Sequence, residues 1–261
     1  MIIGFLGTGV ITEAIIRGLY DVAHYEGTIL VSRRSEERSQ RLSETYPDVR
    51  VVDQNRDLAE QSDWIVVSVL PEQVSQVLSE LVIRPDQKVV SLAAGVSLDE
   101  LRSAAAPATD VVRVIPMPPI EHGLGPIALC PPDDATQALF GSIGTCVSVS
   151  EESQFNLFGA ASALMADFYG QVSGVTQWMN KKGLDVPTAA RYTTALYHAL
   201  ADLTVRQPPE TLQTMSADCQ TPGGLNAQFL ARRNRLGANQ SLTDGLEDIL
   251  NRLESAADQE S

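Results

Sequence analysis

At 261 residues, with 44% hydrophobic and 20% charged side chains, the sequence is that of an ordinary globular protein of one to two domains, not a disordered or fibrous chain. A formal net charge of −14 excludes a broad electrostatic footprint for nucleic acid or an anionic membrane surface, so an anionic ligand needs a local basic cluster. Cys130, Cys146 and Cys219 are odd in number and widely spaced, which suggests neither a disulfide framework nor a metal site and fits a reducing cytoplasm.

In chain order, the first stretch is "MIIGFL", a short apolar run with strand character and neither a basic n-region nor a small-residue cleavage site. "TILVS", "VRVVD", "WIVVSVL", "KVVSLAA" and "DVVRVIP" have the same character, being short, rich in Val and Ile and bounded by turn residues. Helical patterns separate them: Ile11, Ala14, Ile15, Gly18 and Leu19 fall on one face, Ser35 precedes Glu36 and Glu37 as an N-cap, and Ser97 with Glu100 forms a capping box. Strands alternating with helices predict parallel βαβ units in a doubly wound α/β domain over residues 1–150.

From Glu151 the pattern is helical to the end, predicting an all-α domain over 151–261. Helices are expected from Glu151 to about Lys182, from Pro187 to about Val205, in a short piece after Pro208, at "TPGGLNAQ", and from about Ser241 to Leu253; "AADQES" reads as a frayed tail. "FNLFGAASALMADFYG" and "AARYTTALYHALADL" are apolar over more than one helical face, which predicts a partner-covered surface and a homodimer or higher homo-oligomer. No run of roughly eighteen apolar residues suggests a membrane span.

Chemistry concentrates first at Gly7-Thr8-Gly9, between the first strand and the first helix, where a dinucleotide fingerprint belongs. Gly7 suits a tight turn and Gly9 lets the backbone approach a pyrophosphate at the helix N-terminus, while Thr12 is bulkier than the usual third glycine or alanine. The second strand ends Ser32-Arg33-Arg34, without the acid that would hold a ribose 2′-hydroxyl. A hydroxyl and two guanidiniums instead suit a 2′-phosphate, which predicts NADP as cofactor. The turns Ser68-Val69-Leu70-Pro71 and Leu92-Ala93-Ala94-Gly95 line the crevice beyond the strand ends. In the second half, Thr221-Pro222-Gly223-Gly224-Leu225-Asn226 opens a helix whose first N–H groups can hold a carboxylate, or is a plain helix-to-helix turn. His24, His122 and His198 show no metal-ligand spacing, no G-x-S-x-G elbow is present, and Lys181-Lys182 before Gly183 reads as a helix C-terminus.

"IIGFLGTG", "VSRRS", "VVSLAAGVS", "RVIPMPP", "SAL" at Ser162–Leu164 and "TPGG" at Thr221–Gly224, in that order, resemble the pyrroline-5-carboxylate reductase family over nearly the whole chain. The resemblance implies a Rossmann-like domain, a helical domain interlocked with a second subunit, and reduction of the C=N bond of a cyclic imine acid by NADPH or NADH. It assigns Gly7, Thr8, Gly9, Val10, Ile11, Ser32, Arg33, Arg34, Val69, Leu70, Pro71, Ala93, Ala94, Gly95, Pro116 and Met117 to the cofactor. It assigns Met165, Asp167, Tyr169 and Pro222, Gly223, Gly224, Leu225 and Asn226 to the substrate, with Thr221, Asn226 and Asp167 nearest the chemistry.

Departures from the family fall on the substrate side. The family's Asn-Thr-Pro is Met117-Pro118-Pro119, its lysine before Pro71 is Leu70, its small serine- and glycine-rich helix break is Met165 to Tyr169, and its threonine after "PGG" is Asn226. Asp167 would repel a substrate carboxylate and favour a cationic nitrogen, if it is not simply a surface position. The expected activity is therefore an NADP-dependent reduction of a cyclic imine. The alternatives are another imine, a ketone or an alcohol, or a non-catalytic nucleotide-binding dimer.

Overall fold

The computed structural model describes residues 1–258. Eight strands form one sheet in the order β3-β2-β1-β4-β5-β6-β7-β8. The strands are β1 (Ile2–Leu6), β2 (Thr28–Ser32), β3 (Val49–Val52), β4 (Trp64–Val67), β5 (Lys88–Ser91), β6 (Asp110–Pro116), β7 (Pro126–Cys130) and β8 (Thr145–Ser148). The first six pair in parallel and are the six runs expected from the apolar pattern. The order reverses between β1 and β4, which is the switch point where ligands bind beyond the carboxyl ends of the strands of a doubly wound sheet. Strands β7 and β8 were not expected, and β7 runs antiparallel to β6, so the all-parallel expectation holds only for the first six.

Helices α1 (Val10–Arg17), α2 (Glu36–Thr45), α3 (Asn55–Gln61), α4 (Val74–Ser79), α5 (Leu98–Ala105) and α6 (Asp134–Gly141) cover the sheet. The period-2 alternation of β1 sends Ile3 and Phe5 into a cluster with Ile15 and Ile16 of α1. Leu6 goes to the opposite face with Leu58, Leu78 and Leu101. Ser97 and Glu100 close the predicted capping box on α5. Ser35 does hold the N-cap position of α2, but its side chain makes no capping bond. At the amino ends of the strands, buried Lys88 lies 2.7 Å from Asp110 Oδ1 and 2.9 Å from Asp133 Oδ1, over the Trp64 ring.

The remaining helices are α7 (Glu152–Ser162), α8 (Leu164–Lys181), α9 (Val186–Val205), α10 (Leu212–Asp218), α11 (Leu225–Arg235) and α12 (Ala238–Asp258). The single helix expected from Glu151 to Lys182 is two helices, interrupted at Ala163. Contacts divide the chain into Met1–Ala160 with Leu250–Ser261, and Ala161–Ile249, instead of dividing it at 150/151. The reason lies in α7, which starts with a helical pattern yet belongs to the sheet. Phe155 is fully enclosed in the core of the second face, and Glu152 accepts hydrogen bonds from buried Arg113 of β6 and from the Leu98 N–H. Within the helical unit α8 and α9 form an antiparallel hairpin, marked by the Thr193 hydroxyl facing the Met179 sulfur and by the Tyr197–Gln171 pair. The last helix reaches Asp258, inside the segment expected to fray, and residues 259–261 of that segment lie outside the described residues.

Candidate functional site

The glycine turn is built by buried hydroxyls. The Gly7 N–H donates to Ser32 Oγ at 2.9 Å, and the Thr8 hydroxyl donates to the Ser32 carbonyl at 2.7 Å. Gly7 sits at φ +99°, where a Cβ would lie 2.4 Å from the Ser68 carbonyl oxygen, so both its conformation and its neighbour require glycine. Gly9 is different. A Cβ there would meet nothing within 4 Å, because the backbone faces open space at the N-terminus of α1. That opening, at a helix end with orphan N–H groups, suits a pyrophosphate.

Thr12, bulkier than the usual third residue of the fingerprint, is fully buried. Its hydroxyl donates to the Gly7 carbonyl at 2.9 Å and shares a 2.8 Å hydrogen bond with the Ser68 hydroxyl, tying the turn to the end of β4. Arg38 of α2 steadies the turn from outside, with Nη1 donating to the Thr8 carbonyl and Nε to Glu13. Glu13 also pairs with Arg17 and Arg41. Burial pushes its carboxyl up, but the three guanidinium hydrogen bonds outweigh this and hold it below the usual range.

A cleft of about 460 Å³ opens over this turn, lined by Gly7, Thr8, Gly9, Ile11, Arg34, Ser35, Ser68, Val69, Leu70, Gln73 and Leu92. The structure thus gathers the glycine turn, Arg34, the Ser68-Val69-Leu70 turn and Leu92, and adds Ser35 and Gln73. Ser35 was legible only as an N-cap, and Gln73 gave no signal. Val10 and Pro71 are exposed, and Gly95 sits at φ +84° after buried Ala93 and exposed Ala94. Pro116 and Met117 are half-buried where β6 ends in the turn Pro118–His122. A second crevice, about 860 Å³, lies between the ends of β2 and β3, with Arg33, Arg34, Glu36, Asp53, Asn55 and Arg56 among its walls. Arg34 lines both. Ser32 is buried, with its hydroxyl turned inward to the glycine turn.

The helical unit carries the other expected residues. Asp167, in the first turn of α8, accepts from Gln171 Nε2 at 2.6 Å and lines a cavity of about 620 Å³ with Leu164, Arg233, Asn239, Leu242 and Ile249. Met165 and Tyr169 are exposed and outside its walls, as are Thr221 to Asn226. At the "TPGG" turn, Gly223 takes φ +74°, the Gly224 N–H donates to the Thr221 carbonyl at 2.8 Å, and Asn226 Nδ2 donates to the Cys219 carbonyl at 3.1 Å. The Asn226 amide therefore closes the turn, whose Gly224 is the N-cap of α11 and offers no side-chain cap, leaving the first N–H groups of the helix free of one. Among the described residues no group of three or more His, Cys, Asp or Glu gathers for a metal, and no helix is long and apolar enough to cross a membrane.

Residues 2–95 match the family model described as NADP oxidoreductase, coenzyme F420-dependent. Over its whole length the chain is similar to a pyrroline-5-carboxylate reductase from Haemophilus influenzae, 27% identical with 96% of each chain covered. One from Corynebacterium melassecola is 35% identical over 47% of each chain. Among solved structures, a 1-pyrroline-5-carboxylate reductase from Streptococcus pyogenes has a TM-score of 0.82 at 24% identity, covering 98% of both chains. A Plasmodium falciparum pyrroline carboxylate reductase with NADP bound has a TM-score of 0.83 at 18% identity, covering 98% of this chain and 97% of that one. The resemblance carried by the motifs thus extends along the chain, and the Rossmann-like sheet followed by helices is the fold it shares.

Proposed function

We propose that this chain is an NADP-dependent oxidoreductase that reduces the C=N bond of a cyclic imine acid, working as a homodimer or a higher homo-oligomer. The observation that carries the reading is the glycine turn. Gly7 is locked by its φ and by the Ser68 carbonyl, and Gly9 is left open at the N-terminus of α1 in a cleft shared with Arg34, which has no ion pair among the described residues. The full-length likeness to pyrroline-5-carboxylate reductases supports the reaction class.

A reduced nicotinamide, when bound, supplies the hydride. The chain's own residues bind and orient. The N–H groups of the first turn of α1 hold the pyrophosphate, and the basic end of β2, where Arg34 lines the cleft, takes the 2′-phosphate. Ser32 serves this site from within, by fixing the Gly7 N–H. Val69 and Leu70 line the cleft itself, and Pro71, Ala93, Ala94, Gly95, Pro116 and Met117, at the turns after β4, β5 and β6, are assigned to the cofactor by the family resemblance. The N–H groups of Leu225 and Asn226 at the start of α11 hold the substrate carboxylate, with Thr221 and Pro222 shaping the turn. A protonated imine needs no strong general acid, so the protein's part is placement and exclusion of water. The exposed apolar residues of the helical unit, Leu225, Phe229 and Leu236 among them, are covered by a second copy.

Asp167 favours an imine other than pyrroline-5-carboxylate. A substrate carboxylate entering the cavity that Asp167 lines would meet a like charge, and at about 4 Å with an effective dielectric near 20 the repulsion is roughly 4 kcal/mol. The test is NADPH oxidation with pyrroline-5-carboxylate, piperideine carboxylates and uncharged cyclic imines, for the native protein and for Asp167→Ser. The expected result is poor turnover of pyrroline-5-carboxylate that improves in Asp167→Ser, with another cyclic imine turned over well. Efficient turnover unchanged by the substitution overturns the altered specificity, and no turnover on any imine overturns the assignment.

A further inference from the structure

We infer that recognition of the 2′-phosphate falls to Arg34 alone, and that Arg33, its neighbour in the basic pair, is withheld from it by two carboxylates. This inference rests on the proposed use of NADP.

The two arginines are adjacent in sequence and both exposed, yet their surroundings differ. Arg33 donates Nε and Nη2 to Glu36 Oε1, at 3.2 and 2.8 Å, and Nη1 to Asp53 Oδ1 at 2.8 Å. These bonds stand in solvent, and exposed ion pairs hold little by strength. The local charge decides instead. One guanidinium between two carboxylates leaves a net −1, which repels a phosphate dianion, and three of the five donors are already directed at acids.

Arg34 has no ion pair or hydrogen bond among the described residues. It is also the residue common to both openings: the cleft over the glycine turn and the crevice between β2 and β3. A dinucleotide with its pyrophosphate at Gly9 carries its adenosine ribose toward the end of β2, where Arg34 stands with its full charge and all its donors free. Arg33 and Asp53 instead form the outer wall, with Asp53 held against Arg33 at the end of β3.

Calorimetric titration with NADPH and NADH tests this on the native protein, on Arg34→Ala, on Arg33→Ala and on the double variant Glu36→Gln/Asp53→Asn. Charge-assisted hydrogen bonds to one phosphate predict a native preference for NADPH of about tenfold or more. Arg34→Ala is expected to remove that preference and leave NADH affinity as it was, which also reports that the fold is intact. Arg33→Ala takes the local charge from −1 to −2 and, at this solvent-screened site, is expected to cost NADPH less than about threefold. The double variant frees Arg33 and is expected to raise the NADPH-to-NADH preference several-fold. A preference that survives Arg34→Ala, or is lost in Arg33→Ala, overturns the inference while leaving the use of NADP standing. A double variant with unchanged preference overturns the withholding of Arg33. Equal native affinities overturn the NADP reading itself.

Discussion

Phe155 and Phe229 set the two units of the molecule against each other. Phe155 is 0% exposed, enclosed by the second face of the sheet and stacked beneath the Arg113 guanidinium, whereas Phe229 on α11 is 67% exposed. The contrast is general. The sheet unit encloses two large aliphatic clusters and pairs buried Lys88 and Arg113 with acids, leaving Val10, Leu70, Val82 and Leu124 exposed around them, while the helical unit encloses few apolar side chains among the described residues and leaves Leu225 83%, Leu236 68% and Val205 85% exposed. Groups a chain does not satisfy internally mark where something else belongs, and on the proposed reading that something is a second copy over the helices and a nucleotide over the glycine turn.

The largest expected effect breaks or upholds that contrast directly. Phe155→Ala should destabilise the sheet unit by about 3–5 kcal/mol, the usual cost of an emptied aromatic core site. Phe229→Ala should cost a dilute single chain no more than about 0.5 kcal/mol, as for other exposed positions. Phe229→Asp should instead act on assembly. Sedimentation at micromolar concentration should show the native protein as a dimer or larger and Phe229→Asp as a monomer with an unchanged thermal midpoint for the sheet. A native monomer removes the second copy from the account.

Acid should weaken the sheet unit. Burial raises the carboxyls of both Glu13 and Asp133, but the arginines around Glu13, and Lys88 with Thr136 at Asp133, pull each below its ordinary value of 4.5 or 3.8. A carboxyl whose folded value is depressed contributes its full stabilisation above the unfolded value, and loses it as pH falls through the folded one. Thermal unfolding followed from about pH 6 down to about pH 3 should therefore show a midpoint that holds and then drops below the ordinary carboxylate range, with a shallower drop in Glu13→Gln. An equal drop in both proteins would remove Glu13 from the explanation.

What the sequence discloses follows the same division. The parallel strands were legible because the inner ones are buried on both faces and so read as short apolar runs, and edge strand β3, although Arg50 is exposed, keeps a valine-rich run. Strand β8 was not, because its residues alternate between exposed and half-buried at the sheet edge, and β7 opens on Pro126 and runs counter to its neighbour. The glycine turn was legible because Gly7 and Gly9 answer to local backbone demands. The unequal roles of Arg33 and Arg34 were hidden, since Asp53 reaches Arg33 only through the pairing of β2 with β3. Glu152 and Phe155 looked like the start of the helical domain because their own periodicity is helical, while their partners, Arg113 and Leu98, lie far back in the chain.

The smallest effect separates two serines that hold the same helix position. Ser97 caps α5: its hydroxyl accepts from the Glu100 N–H at 3.2 Å, and Glu100 in turn accepts from the Ser97 N–H at 2.7 Å. Ser35 stands at the N-cap of α2 with φ −105° and ψ 73° and makes no such bond, yet it lines the cleft beside Arg34. One hydroxyl is committed to the fold, and the other makes no capping bond and belongs to a residue that lines the proposed cofactor cleft. Ser97→Ala should cost about 1 kcal/mol of stability, as lost caps do, with cofactor affinity unchanged. Ser35→Ala should leave the thermal midpoint within error, because no cap is lost, and should weaken NADPH by about two- to tenfold through one absent hydrogen bond. A Ser35→Ala protein that is destabilised like Ser97→Ala, or that binds NADPH as the native chain does, would mean that an unsatisfied group at this cleft is not a mark of the ligand.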